Sequence, residues 1–286
     1  MKDSKVVLIT GAAKRIGASI ARTFHANGYR VLIHANNSKD EAIELCFELN
    51  KERVSSANAL FADFNCHEET LKIATDALNY FGRIDVLINN ASMFYPSSLA
   101  QAKTTDWDKL FNSNVRAAFF LSQSLAKELS ERSGCIINIV DTHADKPLKD
   151  HAVYCMAKSA LKSMTKSLSL ELAPRIRVNG ISPGAILWPT EIEEEVHDKG
   201  QQKKNAILDS IPLKRLGHPQ DLSNLAFKEY LKKKPLKTLY HLMFFLFKGK
   251  PYLKEIISRD FRVPFESLTF NKGAIDYIRE IKNRHR

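Results

Sequence analysis

The sequence predicts an α/β fold, a doubly wound parallel sheet with helices on both faces. Short apolar runs alternate with longer segments of helical period from residue 5 to about 182, the pattern of consecutive βαβ units. The runs read as near-continuous hydrophobic stretches, as strands covered on both faces do. The 286 residues, 44% of them hydrophobic and 26% charged, suffice for an α/β core that needs no disulfide support.

Taken in order, Lys5–Thr10 is the first strand, and Arg15–Asn27 has helical spacing up to Gly28, a usual helix stop. Arg30–His34 is the second strand and Lys39–Glu52 an amphipathic helix. Ala57–Ala62 reads as the third strand, with a helix over about 67–80 that stops near Gly82. Ile84–Asn89 is the fourth strand, followed by two helices at about 105–111 and 115–131 and a stop at Gly134. Cys135–Val140 is the fifth strand, 152–173 a long helix and Ile176–Ile181 the sixth strand.

Composition excludes several functions. The longest apolar stretch near the C-terminus, Leu242–Phe247, falls far short of the roughly 20 residues of a membrane helix. The first residues, Met1-Lys2-Asp3-Ser4-Lys5, run straight into a strand-like segment, so no secretory leader is expected. Cys46, Cys66, Cys135 and Cys155 form no Cys-x-x-Cys pair and have no His at zinc spacing, so they are expected to be buried thiols of a cytoplasmic protein, with no metal. The net charge of +11 is uneven: residues 227–286 hold 10 Lys and 5 Arg against 6 acidic residues. That tail lacks the aromatic interleaving of a nucleic-acid surface. It is expected to bind neither nucleic acid nor membrane.

The first strand empties into Thr10-Gly11-Ala12-Ala13-Lys14-Arg15-Ile16-Gly17. A small-residue turn there lets backbone amides and a helix N-terminus face a pyrophosphate. Lys14 and Arg15 place two cations beside the adenosine ribose, and His34-Ala35-Asn36-Asn37-Ser38 after strand two offers no carboxylate before Asp40. A cation suits a 2′-phosphate, whereas its absence calls for an acid, so NADP(H) is the expected cofactor. Tyr154 and Lys158 lie four apart on one helix face, where the cation lowers the phenol's pKa. Asp141 follows strand five directly and stands where open α/β sheets build their sites.

Together, Thr10–Gly17, Asn89-Asn90-Ala91-Ser92, Asn114, Tyr154-x-x-x-Lys158 and Pro183-Gly184 resemble the short-chain dehydrogenase/reductase family over about residues 5–225. The resemblance implies a Rossmann-type domain, a nicotinamide cofactor and a homotetramer. It implies Tyr154 as proton donor, Lys158 on the nicotinamide ribose, and Asn114 supporting a proton-relay water. It places Gly11, Lys14, Arg15, Ile16, Gly17, His34, Asn37, Ser38, Asn90, Ala91, Ser92, Pro183 and Gly184 around the cofactor, with Asp63 at the adenine. Two departures, Arg15 for the loop's usual middle glycine and Asp141 for the usual serine, are similar to pteridine reductases. That branch implies a pterin substrate stacked on Phe94 and proton relay through Asp141 and Tyr154. Reduction of a carbonyl or a 3-oxoacyl thioester is the alternative.

From about Phe227 the chain becomes Lys- and Phe-rich, with 7 of its 16 phenylalanines in the last 60 residues, and lacks the Gly-rich last strand usual in the family. The expectation is a domain over 1–226 and an atypical basic segment over 227–286, a fusion or frameshift product, with the last strand missing or replaced. Such a loss would leave an impaired enzyme as a third reading.

Overall fold

The computed structural model describes residues 4–188, 198–211, 213–231 and 241–242, all within a unit that runs to Leu246. Six parallel strands form the sheet: β1 (Val6–Ile9), β2 (Arg30–Ala35), β3 (Ala57–Phe61), β4 (Val86–Asn89), β5 (Cys135–Ile139) and β6 (Arg177–Ser182). Their order is β3-β2-β1-β4-β5-β6, and a two-residue strand, β7 (His241–Leu242), pairs in parallel with Ile181 and Ser182 at the far edge. Because β1 lies between β2 and β4, the chain reverses its winding there, and the carboxyl ends of β1 and β4 open a crevice.

Helices α1 (Arg15–Ala26), α2 (Lys39–Glu52) and α3 (His67–Phe81) follow the first three strands. After β4 come α4 (Thr104–Phe111) and α5 (Ala117–Glu131), and α6 (Ala152–Glu171) follows β5. Among the described residues, helices α7 (Asp198–Ser210) and α8 (Pro219–Leu231) come after β6. Helices α4 and α5 were expected as separate elements, but a π-helical turn over Asn112–Arg116 joins them. Such turns are rare and are frequently found at functional sites.

Val6, Val7, Leu8 and Ile9 of β1 are all fully buried, as are Val31, Leu32 and Ile33 of β2. The two sheet faces are covered separately. One packs Val7, Ile9 and Ile33 against Ile20 and Phe24 of α1 and Leu222 of α8. The other packs Leu8, Leu87 and Ile136 against Leu121 and Leu125 of α5 and Leu161 of α6. Cys46, Cys135 and Cys155 are buried as expected, whereas Cys66 is half-exposed at the start of α3.

The compositional boundary at residue 227 does not end the packed fold, because α8 runs through it to Leu231. Phe227 and Tyr230 join Phe24 and Tyr29 in an aromatic cluster, with edge-to-face contacts at 5.2 Å (Phe24–Phe227) and 5.5 Å (Tyr29–Tyr230). The Arg177 side chain in β6 donates to the carbonyls of Glu229 and Tyr230, closing the end of the helix. The rest of the expected foreign segment, apart from residues 241–242, lies outside the described residues. Tyr230→Ala empties a buried aromatic site and is expected to cost about 3 kcal/mol, read as a lower denaturation midpoint of the full chain.

Candidate active site

The turn after β1 is held at nearly every backbone group. Thr10 is buried, and its hydroxyl accepts the amides of Asn90 and Ala91 at 2.9 Å each. The Asn90 side chain donates to the carbonyls of Thr10 and Gly11, again at 2.9 Å. Gly11 has φ +60°, and a Cβ there would lie 2.8 Å from the Ala91 Cα. A Cβ on Gly17 would lie 2.4 Å from the Gly11 carbonyl oxygen. Glycine at both positions lets α1 begin tight against the turn, leaving a backbone cradle at a helix N-terminus that fits a phosphate.

Arg15 is the first residue of α1 and takes φ +53°. That left-handed conformation costs a non-glycine residue about 1–2 kcal/mol. The exposed side chain donates to the Trp188 carbonyl at 2.8 Å, linking the turn to the segment after β6. Lys14 was expected beside Arg15 at the ribose, but it forms an ion pair with Glu41 of α2 at 2.6 Å. The Lys14 ammonium holds the Glu41 carboxyl below its ordinary range. Asn37 is exposed and Ser38 half-buried ahead of α2. Ile16 is partly buried against the core.

His34 stands differently from its expected place around the cofactor. It is almost fully buried beneath the turn, accepts the Gly11 amide at Nδ1 (3.2 Å) and bonds the Ala62 carbonyl through Nε2 (3.2 Å). Burial pushes its pKa down to about 4, so it is neutral at pH 7. Asp63, half-buried beyond β3, accepts both the amide and the side-chain N–H of Asn65 at 2.9 Å.

Asp141 and Tyr154 meet as expected. The phenol O–H donates to Asp141 Oδ2 at 2.5 Å, and Oδ1 accepts the His143 amide at 2.8 Å. Lys158 is fully buried one turn along α6 and donates to the Ile139 carbonyl at 3.1 Å, with its Nζ 5.8 Å from the Tyr154 ring centre. The expectation that Lys158 acidifies the phenol needs correction. Burial, then the charge of Asp141 and its hydrogen bond, raise the Tyr154 pKa far above the ordinary 10, opposed weakly by the Ser92 hydroxyl. Tyr154 is therefore a neutral donor with its proton directed at a carboxylate. Burial pushes Lys158 down to about 8, against the pull of Asp141.

Asn114 sits in the π-helical turn, buried, and its side chain is engaged on all sides. Nδ2 donates to the carbonyls of Met93 (3.0 Å) and Leu110 (2.9 Å), and Oδ1 accepts the Ser92 hydroxyl at 2.7 Å. Among the described residues no hydrogen bond joins it to Tyr154, Asp141 or Lys158. Its geometry positions Ser92 and Met93. Phe94 is 39% exposed, edge-on to Tyr154 at 4.8 Å and stacked on His151 at 4.8 Å. Buried Pro183 accepts the Thr142 amide at 3.3 Å, which brings Pro183-Gly184 beside Asp141.

Sequence reasoning missed the supports. Asn89 donates to Asn138 (2.8 Å) and Asn138 to Thr165 of α6 (2.9 Å), tying β4, β5 and α6 together inside the core. A polar residue in or at the end of an otherwise apolar strand, as Asn138 and Asn89 are, was the available signal. Among the described residues no group of His, Cys, Asp and Glu could hold a metal ion, and no helix is long and apolar enough to cross a membrane.

Residues 5–201 match the short chain dehydrogenase family. The chain is 35% identical over 237 residues to pteridine reductase 1 of Leishmania tarentolae, covering 69% of this chain and 82% of that protein. It is 31% identical over 223 residues to a 3-oxoacyl-(acyl-carrier-protein) reductase of Staphylococcus epidermidis, covering 77% and 89%. An uncharacterized oxidoreductase of Mycobacterium tuberculosis is 33% identical over 226 residues, covering 78% and 84%. With a phosphate cradle at the switch point and a tyrosine and lysine one turn apart behind it, the chain belongs to the short-chain dehydrogenase family of oxidoreductases.

Proposed function

We propose that the protein is an NADPH-dependent pterin reductase, taking a dihydropterin, or dihydrofolate, to the tetrahydro level. The observation that supports this reading best is the Tyr154–Asp141 hydrogen bond of 2.5 Å beside the open ring of Phe94. The likeness to a pteridine reductase points the same way. Phe94 offers an apolar ring against which a flat heterocycle can stack.

Gly11, Arg15, Ile16 and Gly17 would hold the pyrophosphate and 2′-phosphate, Asp63 the adenine side, and Lys158 the nicotinamide ribose. When bound, the nicotinamide supplies a hydride to a ring carbon of the substrate. The adjoining nitrogen then needs one proton. Tyr154 keeps its proton because burial and Asp141 disfavour the phenolate, and it releases that proton only to a group of rising basicity. Half-buried Asp141 holds the hydroxyl and connects it to solvent for reprotonation. A carboxylate here suits a nitrogen acceptor, since it would repel the alkoxide that grows during carbonyl reduction. The second reading, reduction of a carbonyl or 3-oxoacyl thioester, draws on the likeness to the Staphylococcus epidermidis reductase.

We also propose a homotetramer. Trp107, Phe111 and Phe119 line a groove of about 440 Å³ on α4 and α5 that a second copy would cover. The mass of the purified chain by light scattering tests this.

Consumption of NADPH by the full chain with a dihydropterin, and not with a 3-oxoacyl thioester, is the expected result. Preference for the thioester overturns the pterin assignment. Tyr154→Phe should lower kcat at least about a hundredfold, the scale of a positioned proton donor, and leave NADPH binding intact. Wild-type kcat/KM should fall as pH rises through about 8, where buried Lys158 loses its charge. Arg15→Gly relieves the left-handed strain, so stability should change by less than about 1 kcal/mol. The same change should weaken NADP+ more than NAD+, read as the ratio of their dissociation constants.

A further inference from the structure

His34 makes two ring hydrogen bonds, and both partners have fixed roles. The Gly11 amide can only donate, to Nδ1 at 3.2 Å. The Ala62 carbonyl can only accept, from Nε2 at 3.2 Å. Neutral imidazole with its proton on Nε2 is the one form that satisfies both. The imidazolium, or the other tautomer, would set N–H against N–H at Gly11. The ring is stacked on Phe64 at 4.1 Å and 9°, so it has little room to turn.

The backbone of the same residue holds the next amide, since the His34 carbonyl accepts from Ala12 at 2.9 Å. Two successive amides of the turn therefore hang on one residue of β2, while Asn90 holds the Gly11 carbonyl from the β4 side. Charged residues on the neighbouring elements include Lys14 of the turn, Arg15 of α1, Lys39, Asp40 and Glu41 in the first turn of α2, Asp63 with Glu69 beyond β3, and Arg116, which donates to the Phe64 carbonyl. The depressed basicity of His34 comes from burial instead, opposed by the Ala62 carbonyl.

We propose that His34 is a positioning residue for the dinucleotide. It does not touch the ligand. It fixes Gly11 from beneath as a neutral hydrogen-bond acceptor, and so holds the turn in the shape that receives phosphate. The inference rests on the dinucleotide reading above.

Two substitutions separate bracing the turn from filling space. In His34→Asn, Oδ1 stands two bonds from Cβ, as Nδ1 does, and can still accept from Gly11. His34→Gln carries its amide out to the Nε2 position, reaches Ala62 and leaves Gly11 without an acceptor. Amide hydrogen exchange at Gly11, measured without any nucleotide, should be protected in wild type and His34→Asn and fast in His34→Gln. By calorimetry, NADP+ should bind His34→Asn within about threefold of wild type and His34→Gln about tenfold or more weakly, the scale of one oriented hydrogen bond. In wild type, 15N NMR should show an unprotonated Nδ1 and a protonated Nε2 at pH 7, a readout that needs no variant to fold.

Equal NADP+ affinity in the two variants, or a protonated Nδ1 in wild type, overturns the proposal. If wild type binds no nicotinamide dinucleotide while the 15N signature and Gly11 protection are as expected, the dinucleotide reading falls instead and His34 is a structural brace only.

Discussion

The Thr10 hydroxyl, accepting two amides from the segment after β4, is the contact on which the site depends. It joins the carboxyl ends of β1 and β4 at the point where the sheet reverses its winding, and that point is where the crevice opens. The Thr10 amide still reaches the Ile88 carbonyl of β4 at 3.0 Å, and beyond it side chains take over the pairing. A buried hydroxyl can serve two donors at once, which an amide or carboxyl side chain of larger size could not do without prying the turn open. Asn90 completes the arrangement by taking the carbonyls of Thr10 and Gly11. With the polar groups of the turn satisfied from the β4 and β2 sides, Gly11 and Gly17 can approach their neighbours closely without leaving buried donors unpaired.

The Asp141–Tyr154 pair is fixed by a second set of buried bonds. Asp141 belongs to the end of β5 and Tyr154 to α6, so their 2.5 Å contact depends on how the helix sits on the sheet. Asn138 in β5 bonds Thr165 in α6, and Lys158 bonds the Ile139 carbonyl. These two contacts fix the helix along and across the strand. A slip of one residue in β5 would turn Asp141 to the opposite face of the sheet. Burial sets the electrostatics of both: together with Asp141 it keeps the Tyr154 phenol protonated, and it makes the Lys158 ammonium readily discharged.

Much of this was legible in the sequence because buried parallel strands read as unbroken apolar runs. Strands β1 to β6 fall within two residues of their expected limits, and Tyr154 lies against both Asp141 and Phe94. What the sequence hid were interactions set by three-dimensional closeness rather than by spacing. Lys14 looked like a ribose contact, yet Glu41 on the next helix faces it. His34 looked like a crevice residue because it ends a strand, but its alternation with Ala35 turns the ring inward. Asn114 lies between two helical patterns, and nothing in Asn112-Ser113-Asn114 distinguishes a π-helical turn from a loop. Arg15 was visible as a departure, though not that its backbone is left-handed, which gives the physical reason glycine is usual there.

The far edge of the sheet shows how composition and packing can part company. The Lys- and Phe-rich character begins at Phe227, in the middle of α8, yet that residue and Tyr230 fill the same aromatic cluster as Phe24 and Tyr29. Helix ends need their last carbonyls satisfied, and Arg177 does this from inside β6, so the sheet itself terminates α8. On the outer side of β6, β7 pairs with Ile181 and Ser182, the two residues just before Pro183. Proline has no amide to offer a further strand, so β6 cannot lengthen its pairing past that point. The turn at Pro183-Gly184 thus both closes the pairing of β6 and delivers the Pro183 carbonyl to Thr142, next to the carboxylate that holds Tyr154.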